Sequence, residues 1–487
     1  MIPIGFEELA ALLDARPDVP VGADVARLRL DAVMTDTRVA PPDGASPLFV
    51  ALPTAVADGH DHVRAARAAG AGAALVGHAV AAAGLPQLVV ADTWQALAAL
   101  ARHNLVACDP RVVAITGSYG KTTTKDLAAA ALATGLRVVA SRASFNNELG
   151  VPLTMLEVAA DTQVLVAEVG ARNAGDLTVM AELLRPHVSV VTAVGPVHLE
   201  TFGDESGVAR EKGRLVEGLR AGGTAVLNGD DPRVRAMRPA QVPEGDVLHV
   251  SATGGPGDVV ADAVTLTVDG RVRASVRTPW GPTSLELPIP GRHHLINGLL
   301  ALAVAGIHGV APDAAAAGIA RARTSASRSS LHRVAGVTVL DDSYNASAPT
   351  VIGALATLAE LEMRGRRWAV LGEMRELGPT SAAQHREVGA ACRGRVDRLV
   401  VVGAAADPIA DGALGAGLDA AAVHRVTDGS EALALLTGAQ GLVAGDAVVL
   451  KASRAVGLDR LAAALIAGLG AREPDAIGAA SAEGVSA

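Results

Sequence analysis

The residues best suited to chemistry stand in one short run, Thr116-Gly117-Ser118-Tyr119-Gly120-Lys121-Thr122-Thr123-Thr124. Its glycines let backbone N–H groups curl around phosphate oxygens, Lys121 has the reach for β- and γ-phosphates, and the Thr122 hydroxyl suits Mg²⁺. Residues 112–115 read as a strand and 125–129 as a helix, so a helix N-terminus would add its positive end. The loop is shorter than the usual G-x-x-x-x-G-K-[ST], because Ile115 stands where that spacing asks for glycine. A glycine turn bearing a surface lysine is the plain alternative; the strand-loop-helix context argues against it.

Other candidates sit where strand-like runs end. Glu168 closes the run 164–169, and His198 follows 188–194 in Gly195-Pro196-Val197-His198. Ligands of open α/β sheets lie beyond the carboxyl ends of strands, so the phosphate loop, Glu168 and His198 should converge. Asn146 and Asn147, between the loop's helix and the Glu168 strand, read either as a turn or as a substrate contact. On the helix 206–220, Lys212 falls on the apolar stripe of Val208, Leu215 and Leu219. Either its stem snorkels to water, or burial lowers its pKa and leaves an amine able to take up CO₂ as a metal-binding carbamate. Arg292-His293-His294 leads to Asn297 before a helix at 298–306, which on its own could be a cap with surface histidines.

These residues need a scaffold, and the chain has material for three domains: 1–107, 108–322 and 323–470, with 471–487 as a disordered tail. Strand and helix patterns alternate, which predicts an α/β fold with mostly parallel sheets: a central P-loop domain and a Rossmann-like C-terminal one. The polar stretch 323–330 reads as the linker between them. In the first domain Thr37, Arg38, Asp58 and His60 flank apolar strands, as groups for an anion or a sugar, or as turn chemistry alone. In the third, Asp342, Tyr344, Asn345, Lys451, Ser453 and Arg454 lie just past strand ends and should form one face closing over a nucleotide.

Composition narrows the function. Hydrophobic residues make up 50% but aromatics only 2%, so the cores must be aliphatic; a net charge of −9 without a basic run speaks against nucleic acid. Two distant cysteines suggest neither disulfides nor zinc, and no leader or membrane span is evident, so a cytoplasmic protein is expected.

Taken in order, Thr116-Gly-Ser-Tyr-Gly-Lys-Thr-Thr-Thr, Asn146-Asn147, Glu168-Val-Gly-Ala, Gly195-Pro-Val-His-Leu-Glu, Glu211-Lys-Gly, Gly291-Arg-His-His and Asp341-Asp-Ser-Tyr-Asn resemble the Mur ligases, from about residue 30 to 465. The resemblance implies a three-domain ATP-dependent amide ligase. A UDP-MurNAc-tripeptide carboxylate would be phosphorylated to an acyl phosphate, which the amine of D-Ala-D-Ala attacks. It also implies roles for residues. Gly117, Ser118, Gly120, Lys121, Thr122 and Thr123 would hold the phosphates; Thr122 and Glu168 one Mg²⁺, His198 and the Lys212 carbamate a second. Asn297 would contact adenine, with Arg328 and Asp342 reaching the nucleotide from the third domain. Thr37, Arg38, Asp58 and His60 would serve the UDP-sugar, Asn146 and Asn147 the acceptor peptide, and Tyr344, Asn345, Lys451, Ser453 and Arg454 the amine. A monomer is expected.

Several positions depart from the family pattern: Tyr119 and His294 stand where asparagine is usual, Ala452 where glycine is, and the 42–47 and 54–57 segments differ near the uridine site. They keep open a ligase of a specialised pathway with another carboxylate and amine. A nucleotide-binding partner protein and a small-molecule kinase are the readings from other classes.

Overall fold

Apolar β-branched runs separated by helices build three large sheets, beside a two-stranded ribbon of Ile4–Gly5 and Arg29–Leu30, in this computed structural model, which describes residues 1–240 and 246–471. The expected tail, apart from Ala471, lies outside the described residues. A five-stranded sheet runs in the spatial order Arg16–Asp18, Gln87–Val89, Ala73–Val76, Pro47–Val50, Ala32–Met34, with only the first strand antiparallel. The central sheet has nine strands. Val138–Ala140, Val164–Glu168, Arg111–Thr116, Val188–Val191, Thr224–Asn228, Val247–Ser251 and Val259–Leu266 are parallel, and Arg271–Arg277 and Thr283–Pro290 extend it as antiparallel strands. The third sheet orders Ser330–Val334, Val337–Asp341, Ala447–Lys451, Arg367–Gly372, Arg398–Val402 and Val423–Val426, antiparallel only at its first edge. Parallel strands need both faces covered, and helices supply the cover.

Register sets where the chemistry lies. Glu168 pairs with Ile115, so it ends level with the start of the phosphate loop, and Val191 pairs with Thr116. In the third sheet Asp341 pairs with Leu450, and Leu371 with Lys451, so three strand ends finish side by side.

The helix Thr93–Cys108 joins the first two sheets, and one apolar core runs from Leu48, Leu75 and Leu97 to Leu165 and Leu184. Asn104 fastens that joint from inside: its amide donates to the Met155 and Val158 carbonyls, and its oxygen accepts the Ile2 N–H. The third sheet carries separate apolar clusters.

One local expectation needs correction. The helix after Arg292 begins at Leu295, not 298, so Asn297 lies in its first turn rather than before it. The stretch 323–330 connects the helix Pro312–Ala320 to the third sheet and is firmly held. Ser325 gives both its N–H and its hydroxyl to Asp126 on the phosphate-loop helix, Ser329 is buried, and Ser330 already begins a strand.

The strand bearing Lys451 is anchored at its base by Asp446, which is 1% exposed and accepts from the Arg366 backbone and guanidinium (2.7 and 2.9 Å) and from the Trp368 indole (3.1 Å). Replacing Asp446→Ala leaves those donors unpaired, and urea unfolding should show a loss of about 3 kcal/mol, on the order expected for a buried charged hydrogen-bond hub.

Candidate active site

The phosphate loop leaves the strand Arg111–Thr116 and enters the helix Lys121–Leu132 through Gly117 (φ +147°) and Gly120 (φ +82°). A Cβ at Gly117 would stand 2.0 Å from Thr192 Oγ1, so side chains are excluded there by contact as well as by conformation. Ser118 ties the loop to the next strand end, its N–H going to Ala193 O and its hydroxyl bonding at Gly195. Tyr119 packs its ring over Gly195, while its carbonyl accepts from Thr192, so this departure leaves the loop backbone in place. Lys121 folds back onto the carbonyls of Gly117 (2.6 Å) and Ser118 (3.3 Å). Burial lowers its pKa, Glu168 opposing and Arg328 adding to the effect. Thr122 and Thr123 are buried in the first helical turn.

Glu168, 1% exposed, accepts from the Asn146 amide at 2.7 Å through Oε1, while Oε2 has no partner among the described residues. A buried carboxylate oxygen without a donor is costly unless something positive meets it, and its chemistry suits a divalent cation. Asn147 turns away to cap Gly150 N–H.

Lys212 is 1% exposed on the helix Glu205–Glu217 and makes no ion pair or hydrogen bond among the described residues. Its carboxylate neighbours are occupied: Glu211 accepts the Gly175 and Leu177 N–H groups, and Asp176 those of Arg172 and Asn173. Burial, with Lys121 adding, pulls the Lys212 pKa down to about 7. The snorkelling alternative is therefore not the arrangement found. His198 (φ +52°) bonds through Nδ1 to Glu376, in the turn after the strand Arg367–Gly372, at 2.6 Å. Burial lowers the imidazole pKa; Glu376 opposes this, and Lys212, Lys121 and Arg172 reinforce it. The phosphate loop, Glu168, His198 and Lys212 thus share one site.

From the other side, Arg328 crosses to this site. Its Nη2 donates to Ser144 Oγ at 2.9 Å, and Ser144 lies 3.5 Å from Thr122 Oγ1. The Arg328 guanidinium stacks 4.0 Å from the Tyr344 ring centre, and Arg454 covers the ring at 4.9 Å. Asp342 accepts Lys451 Nζ (2.5 Å) and the Ser329 N–H (3.0 Å), and Lys451 also reaches Asn345 O (3.0 Å). Both charges of that pair are spent on each other and on the frame. Ser453 Oγ accepts the Arg375 N–H. The Ala452 methyl is buried against Gly372, inside the sheet's own core, so this departure does not narrow an opening.

In the first sheet's domain Asp58 caps the turn Gly59–His62 and bonds His60 Nδ1 at 2.5 Å, while His60 Nε2 accepts the Gly77 N–H. Both ring nitrogens are engaged. Arg38 is exposed and pairs with Asp36, which that contact holds down to about 2. Thr37 lies beside them, and this patch does not meet the phosphate loop.

Sequence reasoning missed Glu376 and Ser144. Glu376 sits four residues past the strand end at Gly372 in a left-handed turn (φ +63°), and Ser144 lies in the stretch between Ala140 and Asn146; neither carries a local signal.

A phosphate loop on a parallel sheet, with a buried lysine and carboxylate beside it, defines a nucleotide-dependent phosphoryl-transfer enzyme. The family model for the Mur ligase middle domain matches residues 115–305, and that for the Mur ligase, glutamate ligase domain, matches 327–454. The chain belongs to the Mur ligase family. It is 39% identical to the UDP-N-acetylmuramoyl-tripeptide–D-alanyl-D-alanine ligase of Mycobacterium tuberculosis, over 91% of this chain and 94% of that one. Among solved structures, MurF from Acinetobacter baumannii superposes with a TM-score of 0.83 at 26% identity, covering 96% of this chain and 99% of its own. MurF ligase from Thermotoga maritima in complex with ADP gives 0.78 at 26% identity, covering 91% and 98%.

The lysine makes a thermodynamic prediction. Between about pH 7 and its ordinary 10.5, Lys212 gives up in the folded state a proton that the unfolded chain keeps, so stability rises with pH across that window. Lys212→Met should flatten this rise and raise the unfolding midpoint below pH 7. An unchanged pH profile in denaturant titrations would contradict it.

Proposed function

We propose that this chain is an ATP-dependent amide ligase that joins D-Ala-D-Ala to the terminal carboxylate of a UDP-MurNAc-tripeptide in peptidoglycan precursor synthesis. The observation that carries the reading is the likeness, over 91% of the chain, to ligases of that name; the buried Lys212 and the Glu168 oxygen without a partner among the described residues support it. In chain terms the reading assigns the UDP-sugar to residues 1–107, ATP to 108–322 and the amine to 323–470.

The residues support the chemistry in order. Loop amides from Gly117 to Thr123 would surround the phosphates, and Lys121, now resting on two loop carbonyls, would exchange them for β- and γ-oxygens. Arg328 enters from the opposite sheet, where its guanidinium can offset charge on the transferring phosphoryl. Glu168 and Thr122 are the residues that would hold one Mg²⁺, and His198 with the Lys212 carbamate a second; such ions supply charge neutralisation between the acceptor carboxylate and the γ-phosphate. Lys212 fits the carbamate because it is buried, has no partner among the described residues and, with its pKa pulled down to about 7, offers a substantial share of neutral amine near neutral pH. A carboxylate oxygen attacks the γ-phosphorus and ADP leaves. The amine then attacks the acyl carbon, phosphate leaves, and the nitrogen loses its proton.

The third sheet organises the amine's side. Lys451 and Asp342, locked together, shape the floor of the strand-end face, leaving Arg454, which is 64% exposed and held to Asp459 only at 4.0 Å, as the cation for a dipeptide carboxylate. Asn146, held on Glu168, would orient the acceptor, and Asp58 with His60 would shape the UDP-sugar loop by positioning backbone. The specialised-pathway alternative loses one of its supports, since Ala452 faces the core.

Two measurements check this. Purified protein with ATP and Mg²⁺ should release phosphate only when both the UDP-MurNAc-tripeptide and D-Ala-D-Ala are present, with a product heavier by the dipeptide less water; release without the amine would point to a kinase instead. Lys212→Ala should lower ligation by at least about 10²-fold, the scale of losing a transition-state charge contact, and short carboxylic acids should restore part of it. Full activity in the variant would remove the carbamate from the account.

A further inference from the structure

His294 joins two parts of the nucleotide site that come from different sheets. It lies in the turn Arg292–His294 ahead of the helix Leu295–Ile307 and is 8% exposed. Its Nδ1 accepts from Asn297 Nδ2 at 3.2 Å, so its proton sits on Nε2, which donates to Ser329 Oγ at 2.9 Å. Burial holds the imidazole well below its ordinary pKa, with the charges of His293, Lys451 and Arg328 adding, so this neutral tautomer persists at neutral pH.

On one side the contact fixes Asn297, which is 4% exposed. The Asn297 oxygen accepts from Thr124 Oγ1 at 3.2 Å and lies 2.5 Å from where a Gly120 Cβ would stand, directly behind the phosphate loop. An amide has two N–H groups and an oxygen with two lone pairs; one of each is used, and one of each remains, the pair an adenine edge takes. On the other side the contact holds Ser329. Ser327 and Ser329 both have left-handed φ (+57° and +53°), an unfavourable conformation for serine that needs outside support. The support is dense: Ser327 bonds Asp341, and Ser329 bonds Asp342 and His294. Between them stands Arg328, aimed by these two turns at Ser144 and the phosphate loop.

We propose that His294 is a positioning residue that sets Asn297 and, through Ser329, Arg328 in one fixed relation, so that the adenine and phosphate ends of the nucleotide site are built as a unit across the joint between the second and third sheets. The inference rests on the nucleotide reading given above. Nucleotide contact is left to Asn297 and Arg328, and His294 acts through both.

A double-mutant cycle on the full-length protein tests it, with the affinity for a non-hydrolysable ATP analogue measured by calorimetry. His294→Asn keeps an acceptor for Asn297 but is too short to reach Ser329; it should weaken binding about tenfold, the scale of leaving a buried polar group unpaired. Arg328→Ala should weaken binding by a similar factor, and the double variant should bind no more weakly than Arg328→Ala alone, because the histidine's effect runs through the arginine. Ser329→Ala breaks the same link from the other side and should repeat the pattern, so the test survives if His294→Asn does not fold. Additive losses, about a hundredfold in the double variant, or wild-type affinity in both link variants, would overturn the proposal. If Asn297→Ala and Arg328→Ala both bind the analogue as wild type does, the nucleotide reading itself fails, which the cycle separates from failure of the link.

Discussion

Lys121, Lys212 and Arg328 share one partly dry site with a buried carboxylate oxygen of Glu168 that has no partner among the described residues. Burial lowers the pKa of both lysines, and the like charge of a neighbour adds to it, Arg328 on Lys121 and Lys121 on Lys212. The rest of the site can be understood as holding that unfavourable arrangement in place. Nearby carboxylates that could have neutralised Lys212 are instead tied to backbone N–H groups, and the Lys121 ammonium rests on neutral carbonyls. A site built this way gains most from a polyanion.

Holding it requires two sheets. Register brings the ends of Arg111–Thr116, Val164–Glu168 and Val188–Val191 level on the central sheet, and the ends of Val337–Asp341, Arg367–Gly372 and Ala447–Lys451 level on the third. The two rows face each other through a few polar contacts: Ser325 on Asp126, Arg328 on Ser144, Ser329 on His294, and Glu376 on His198. Apolar burial holds the first two sheets together, whereas these contacts to the third are mostly hydrogen bonds and ion pairs. Such joints are more readily opened, which suits substrates that must enter between the rows.

Much of this was legible in the sequence because strand-end chemistry is local. Gly117, Gly120 and Lys121 announce a phosphate loop, the alternation of strand and helix announces parallel sheets, and a lysine on an apolar stripe announces Lys212. Contacts made across the joint were not legible. Ser144, Ser329 and Glu376 gain their meaning from residues 22 to 184 positions away, and two of them from left-handed turns without glycine. Nor did the sequence show how far some candidates are engaged with the frame: Asp342 and Lys451 pair with each other, and His60 has both nitrogens bonded within its own domain.

The central claim is that the site moves a phosphoryl group onto a carboxylate before the amine arrives. Its most direct test is to follow a heavy oxygen isotope placed in the acceptor's terminal carboxylate through one round of ligation. The account predicts that one labelled oxygen per product formed appears in the released inorganic phosphate, since the acyl phosphate breaks between carbon and oxygen. Unlabelled phosphate, with ligation intact, would contradict it.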